Sequence, residues 1–159
     1  MFHLVLLEPE IPSNTGNIAR TCAATGSMLH LIRPLGFSVS DRELKRAGLD
    51  YWSLVDVRIH DSLEDFFETE KPQRFWLTST KAAKSYAQAE FRDGDYIFFG
   101  RETRGLPESF ITENLDRAIR IPMRPQTRSL NLSNSAAIVL YEALRQTGFS
   151  GLLDHGKFA

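Results

Sequence analysis

Short runs of uninterrupted apolar residues alternate along this chain with segments of helical periodicity, and that alternation narrows the fold more than any other feature. Residues 4–7, 29–32, 55–59, 75–78, 96–99 and 118–121 read as strands. Runs with no polar alternation suit strands buried on both faces of a parallel sheet. Helices are expected over 15–24, 41–47, 63–70, 108–114 and 132–146. Ser13 or Asn14, Asp41, Asp61 or Ser62, and Asn131 or Ser133 are their candidate N-caps, and Gly26 and Gly148 their terminators. Ala136, Leu140, Ala143 and Leu144 share one face of the last helix, so that helix packs against the protein. The fold class is therefore α/β, a mostly parallel sheet flanked by helices.

At 159 residues the chain is expected to form one domain over 1–159, with 150–159 a loosely held tail. The start, MFHLVLLEPE, reads as a strand rather than a leader, because it lacks a basic region and reaches Glu8 early. No apolar run approaches the roughly 20 residues of a membrane helix. With a single cysteine, Cys22, there is no intrachain disulfide, and the thiol reads as a small buried apolar group. A cytoplasmic, non-membrane protein is expected. His3, His30, His60 and His155 are scattered without metal-ligand spacing, and no metal is expected. A net charge of −1 gives no bulk attraction to nucleic acid, so any such binding must be local.

Three loops at strand ends carry the chemistry, since ligands of open α/β sheets lie outside the strands' carboxyl ends. The first, Glu8 to Arg20, leads into a helix N-terminus rich in small polar residues, where free amides favour an anion. Asn17 and Arg20 share a helix face there. The second, Phe99 to Pro107, has glycines at 100 and 105 but neither the Lys-Ser/Thr of a P-loop nor Gly-x-Gly-x-x-Gly. Glu102 is placed either to accept backbone amides or to fix an arginine, or else it is a solvated loop acid. The third, Ile121 to Ser135, offers hydroxyls, amides and backbone donors beside an apolar strand end, the mixture of a ligand pocket. Arg101, Arg104, Arg124 and Arg128 concentrate positive charge on these same loops.

Asn-Thr-Gly-Asn-Ile-Ala-Arg (14–20), Phe-Gly-x-Glu-Thr-Arg-Gly-Leu-Pro (99–107) and Arg-Ser-Leu-Asn-Leu-Ser-Asn (128–134) resemble, in order and spacing, the three motifs of the SPOUT superfamily of methyltransferases. The match is nearest to the small TrmL-type (YibK-like) tRNA wobble-nucleotide 2′-O-methyltransferases, and it runs from about Phe2 to Gly148. Arg46-Ala-Gly-Leu-Asp-Tyr51 fits the same subgroup, whereas Arg101 departs from its usual proline. The resemblance implies a deep trefoil knot in the C-terminal half. It also implies S-adenosylmethionine as methyl donor and S-adenosylhomocysteine as product, with no metal. Leu77, Thr78, Gly100, Glu102, Ile121, Met123, Ser129, Leu130 and Asn131 would bind the cofactor. Asn17, Arg20, Arg101, Arg104 and Arg128 would face RNA. Arg20 and Tyr141 are the implied catalytic residues, Arg20 as an orienting group because arginine stays protonated. The implied substrate is the ribose of cytidine or modified uridine at tRNA position 34, in leucine isoacceptors. The implied assembly is a homodimer joined through the first and last helices. The alternatives are a 2′-O-methyltransferase of rRNA or of another tRNA position, and a non-catalytic RNA-binding module.

Overall fold

The structure, a computed structural model, describes residues 1–40, 42, 46 and 51–158. Most of the short helix expected over 41–47, its Asp41 cap included, and most of the 46–51 segment lie outside the described residues. Strands β1 (His3–Leu7), β2 (Met28–Ile32), β3 (Val57–His60), β4 (Phe75–Thr78), β5 (Lys84–Ser85), β6 (Tyr96–Phe99) and β7 (Ala118–Arg120) form one sheet. Its order is β3-β2-β1-β6-β4-β7-β5, and all its pairings are parallel. The chain winds from β1 outward to β3, then crosses to fill the other half. The switch point between β1 and β6 is where such a sheet opens a crevice.

Helices α1 (Pro12–Thr25) and α4 (Leu132–Gln146) cover one face; α2 (Leu63–Glu70) and α3 (Glu108–Thr112) cover the other. The two-residue period of a strand divides the core between them. Leu4, Leu6, Leu29, Leu31, Ile97 and Phe99 pack with Ile18, Ala19, Cys22, Val139 and Leu140. Val5, Leu7, Ile32, Phe98 and Tyr96 pack with Phe66, Phe110 and Ile111. Burial pushes the Cys22 thiol up to about 12, so it stays protonated and apolar in behaviour.

Elements α2, β4, β6 and α4 begin and end as the sequence indicates, and Ser62 and Asn131 cap their helices as expected. The third strand is shifted to Val57–His60, α3 stops at Thr112 before a 3₁₀ turn, and β7 ends at Arg120. Strand β5 and the turn Tyr86–Gln88 carry no apolar run and were not expected. Neither Ser13 nor Asn14 caps α1. The N-cap is Ile11, with Pro12 opening the helix, and the side chain serving that end comes from a distant loop, as described below. Part of the expected loose tail is held, since Leu152 packs on the core and its amide donates to Phe149 O. Among the described residues no helix is long and apolar enough to cross a membrane.

The start of β6 is fixed by Asp95, whose fully buried carboxylate accepts Arg74 Nε at 2.7 Å, Trp76 Nε1 at 2.9 Å and the Arg92 amide at 2.9 Å. Removing a buried charge leaves its partners without an acceptor in a low-dielectric setting. Asp95→Ala is expected to destabilise the fold by about 3 kcal/mol, read as a lower urea midpoint with unchanged slope.

Candidate active site

The carboxyl ends of β4, β6 and β7 open into a cavity of about 710 Å³, within the 300–1,000 Å³ typical of small-molecule sites. Its floor and sides are apolar, from Phe99, Leu106, Ile111, Ile119, Ile121 and Val139, and polar groups stand along the rim. All three loops singled out in the sequence contribute to it: Ile11 and Asn14 from the first, Gly100 to Leu106 from the second, and Arg128 to Leu132 from the third.

These loops are joined by one chain of hydrogen bonds. The Glu102 carboxylate accepts the Glu10 amide at 2.8 Å and the Ile11 amide at 3.1 Å. It therefore supplies the acceptor at the start of α1, where negative charge also complements the helix dipole. Asn14 Nδ2 donates to the same carboxylate at 3.4 Å, and Asn131 Nδ2 donates to Asn14 Oδ1 at 3.0 Å. Asn131 Oδ1 in turn accepts the Ser133 and Asn134 amides that open α4. A reciprocal contact runs from Thr103 Oγ1 to Glu10 Oε1 at 2.7 Å. Of the roles open to Glu102 from sequence, accepting backbone amides is the one the structure displays.

The second loop closes on itself. The Gly105 amide donates to Arg101 O at 2.8 Å, and Gly105 adopts φ +70°. A Cβ built on Gly100 would lie 2.0 Å from Gly105 C and 2.1 Å from Leu106 N, so no side chain fits at 100. Thr78 Oγ1 donates to Phe98 O at 2.7 Å, tying the ends of β4 and β6. At the rim Lys81 pairs with Glu108 and holds that carboxyl below the usual carboxylate range.

Of the residues expected to hold the cofactor, Thr78, Gly100, Glu102, Ile121, Met123, Ser129, Leu130 and Asn131 line the cavity. Leu77 is fully buried in the core on the other side of the sheet and is not among the lining residues. Arg101, Arg104 and Arg128 are at the cavity. Arg101 is engaged by the Glu8 carboxylate. Asn17, Arg20 and Tyr141 are exposed on α1 and α4, outside the cavity lining; the Arg20 guanidinium lies 4.7 Å from the centre of the Tyr51 ring. Sequence reasoning missed Lys81, Glu108 and Leu106 as lining residues. Only their positions just after strand-end motifs marked them.

A parallel sheet with a cavity at the carboxyl ends of its strands, walled by three hydrogen-bonded loops and by the start of the last helix, is the build of an α/β methyltransferase site. The chain belongs to the SpoU rRNA Methylase family, which matches residues 1–141, and its fold is that of the SPOUT methyltransferases. A Bacillus subtilis relative is 56% identical over 153 residues, 94% of this chain and 96% of its own length. An Escherichia coli K12 protein named tRNA (cytidine(34)-2′-O)-methyltransferase is 49% identical over 152 residues, 95% of this chain and 97% of its own. Among solved structures, one described as giving structural insights into the 2-OH methylation of C/U34 on tRNA is 51% identical. It superposes with a TM-score of 0.88, covering 92% of this chain and 96% of that one.

Glu102→Ala removes the acceptor for two backbone amides and for Asn14. It is expected to cost about 2 kcal/mol of stability and to weaken S-adenosylmethionine binding at least tenfold, measured by denaturation and calorimetry. Unchanged cofactor affinity in a folded variant would contradict the joining role given to this carboxylate.

Proposed function

We propose that this chain is an S-adenosylmethionine-dependent tRNA 2′-O-methyltransferase acting on the ribose of the wobble nucleotide, a cytidine or modified uridine at position 34, with leucine isoacceptors as substrates. The observation that carries the reading is the convergence of the three motif loops on one cavity through the Glu102–Asn14–Asn131 bonds. The names of relatives near half identity across nearly the whole chain point the same way. The cavity fits the cofactor in size and in its mixture of apolar walls with polar rim groups. Gly100 lines the cavity, and its contact with Gly105 and Leu106 leaves no room for a side chain there. Thr78, Gly100, Ile121, Met123, Ser129, Leu130 and Asn131 would hold it.

When bound, S-adenosylmethionine supplies an activated methyl group and leaves as S-adenosylhomocysteine. The protein's own task is then to position the ribose hydroxyl in line and polarise its O–H bond. Arg20 orients the hydroxyl and grips the neighbouring phosphate, while Asn17, Arg104 and Arg128 add backbone contacts. Tyr141 stands beside the substrate as a relay for the proton.

Because Arg20 and Tyr141 lie outside their own chain's cavity, the working site requires a second copy. α1 and α4 pack together within the chain, and Ile11, Leu130, Ile138 and Tyr141 remain between 37% and 47% exposed on and beside them. Exposed Ile138 and Tyr141 on α4, with Arg20 exposed on the adjoining α1, support a two-fold homodimer, the commonest oligomer geometry, in which each cavity borrows Arg20 or Tyr141 from its partner. Residues of the 121–131 segment and of the closed 100–106 turn line the same cavity, and the trefoil knot that the motifs imply is part of this reading. An enzyme that modifies tRNA would act in the cytoplasm.

Arg20→Ala is expected to leave S-adenosylmethionine affinity within twofold and to lower methyl transfer to tRNA by at least a hundredfold, read by calorimetry and by methyl incorporation. Nucleoside mass spectrometry of tRNA from cells lacking the gene should show loss of the 2′-O-methyl mark at position 34. Loss confined to rRNA or another tRNA position, or no loss at all, would contradict the substrate assignment.

A further inference from the structure

On the sheet face opposite α1 and α4, three of the four histidines that look scattered in the sequence stand in a row across neighbouring strands. His3 Nδ1 is 3.0 Å from His30 Nε2, and His30 Nδ1 is 3.1 Å from His60 Nε2. The Glu70 carboxylate, at the end of α2, closes the group. Its Oε1 lies 3.7 Å from His60 Nε2 and 3.9 Å from His30 Nδ1. None of these residues lines the cavity described above.

We propose that His30, His60 and Glu70 form a binding site for one zinc-type divalent ion that staples β2, β3 and α2 together. The same three atoms, His30 Nδ1, His60 Nε2 and Glu70 Oε1, are mutually 3.1–3.9 Å apart. A tetrahedral ion bound at about 2.0–2.2 Å sets its ligand atoms about 3.3 Å from one another. Two imidazoles and a carboxylate suit zinc and its first-row neighbours, not calcium or magnesium, which take oxygen ligands. Burial keeps the rings unprotonated, which is the ligating form: His30 is pushed down to about 3, and His60 is also lowered.

The surroundings are those of a ligand set. His30 Nε2–H has His3 Nδ1 as its acceptor. His60 Nδ1 faces Asp65 Oδ2 at 4.0 Å. His30 can thus turn its proton toward His3 and leave Nδ1 for the ion, the outer arrangement that metal-bound histidines use, while the Asp65 carboxylate lies near His60 Nδ1 but outside direct hydrogen-bond reach. Without an ion the rings can bond head to tail, each donating to the next, so a bound ion would take the place of the His30–His60 hydrogen bond. The second Glu70 oxygen accepts Arg58 Nη1 at 3.1 Å and Tyr96 OH at 3.4 Å, which fixes the carboxylate while Oε1 remains aimed at the rings. Arg58 also bonds Oε1 at 3.2 Å, but its side chain is 48% exposed and can yield that contact.

The test uses the full chain, freed of metal by chelation, titrated with Co²⁺ and with Zn²⁺. One ion per chain is expected, with the intense visible bands of four-coordinate Co²⁺. Zn²⁺ at a hundredfold excess over its Kd should raise Tm by roughly 5–10 °C. His60→Gln and Glu70→Gln should each abolish the bands and the Tm shift, while His155→Gln, in the exposed tail, should keep both. Absence of stoichiometric binding to the unmodified chain would overturn the site. So would bands that survive both His60→Gln and Glu70→Gln. Because the unmodified chain alone decides the first point, a variant that fails to fold does not protect the proposal.

Discussion

The carboxylate of Glu102 is the joint on which the rest of the site depends. It sits on a turn after β6 and reaches the backbone at the start of α1, some ninety residues earlier in the chain. Through Asn14 it also reaches Asn131 and the start of α4. The two helices that cover one face of the sheet are thus anchored at their N-termini to the same short turn. Backbone amides at helix starts have no partner within the helix. Here the amides at the start of α1 are taken up by Glu102 and those of α4 by Asn131, and the side-chain amides of Asn14 and Asn131 link the two ends beside the cavity.

The sheet makes that joint possible. Parallel strands all deliver their carboxyl ends to one edge, and the order β1-β6-β4-β7 sets the three motif loops side by side. At Gly100 the turn folds so tightly that a methyl group has no room. The glycine is required there by contact with Gly105 and Leu106, with no need for an unusual dihedral. Arg101, on the same turn, pairs with Glu8 just past the end of β1.

Much of this was legible in the residues. Uninterrupted apolar runs marked β1, β4 and β6 because a strand buried on both faces needs no alternation. Asn131, one of two candidate caps of the last helix, fills that role because its side chain serves amides two and three residues away. The start of α1 was misread for the opposite reason. Its acceptor comes from Glu102, and no local pattern reports a bond across that separation. Strand β5, two residues long and polar, owes its existence to pairing with β7. The histidines failed to register as a group for a similar cause. Sequence spacing finds ligands on one helix or hairpin, whereas His3, His30 and His60 become neighbours only through the register of three parallel strands. Arg20 and Tyr141 were singled out by family resemblance, and a single chain leaves them outside its own cavity.

The most direct test of the account is amide hydrogen exchange with and without S-adenosylhomocysteine. If the three loops form one pocket joined at Glu102, ligand should slow exchange together in residues 8–20, 99–107 and 121–135, with little change at β3 and α2. Protection confined to one of those segments, or centred elsewhere on the sheet, would contradict it.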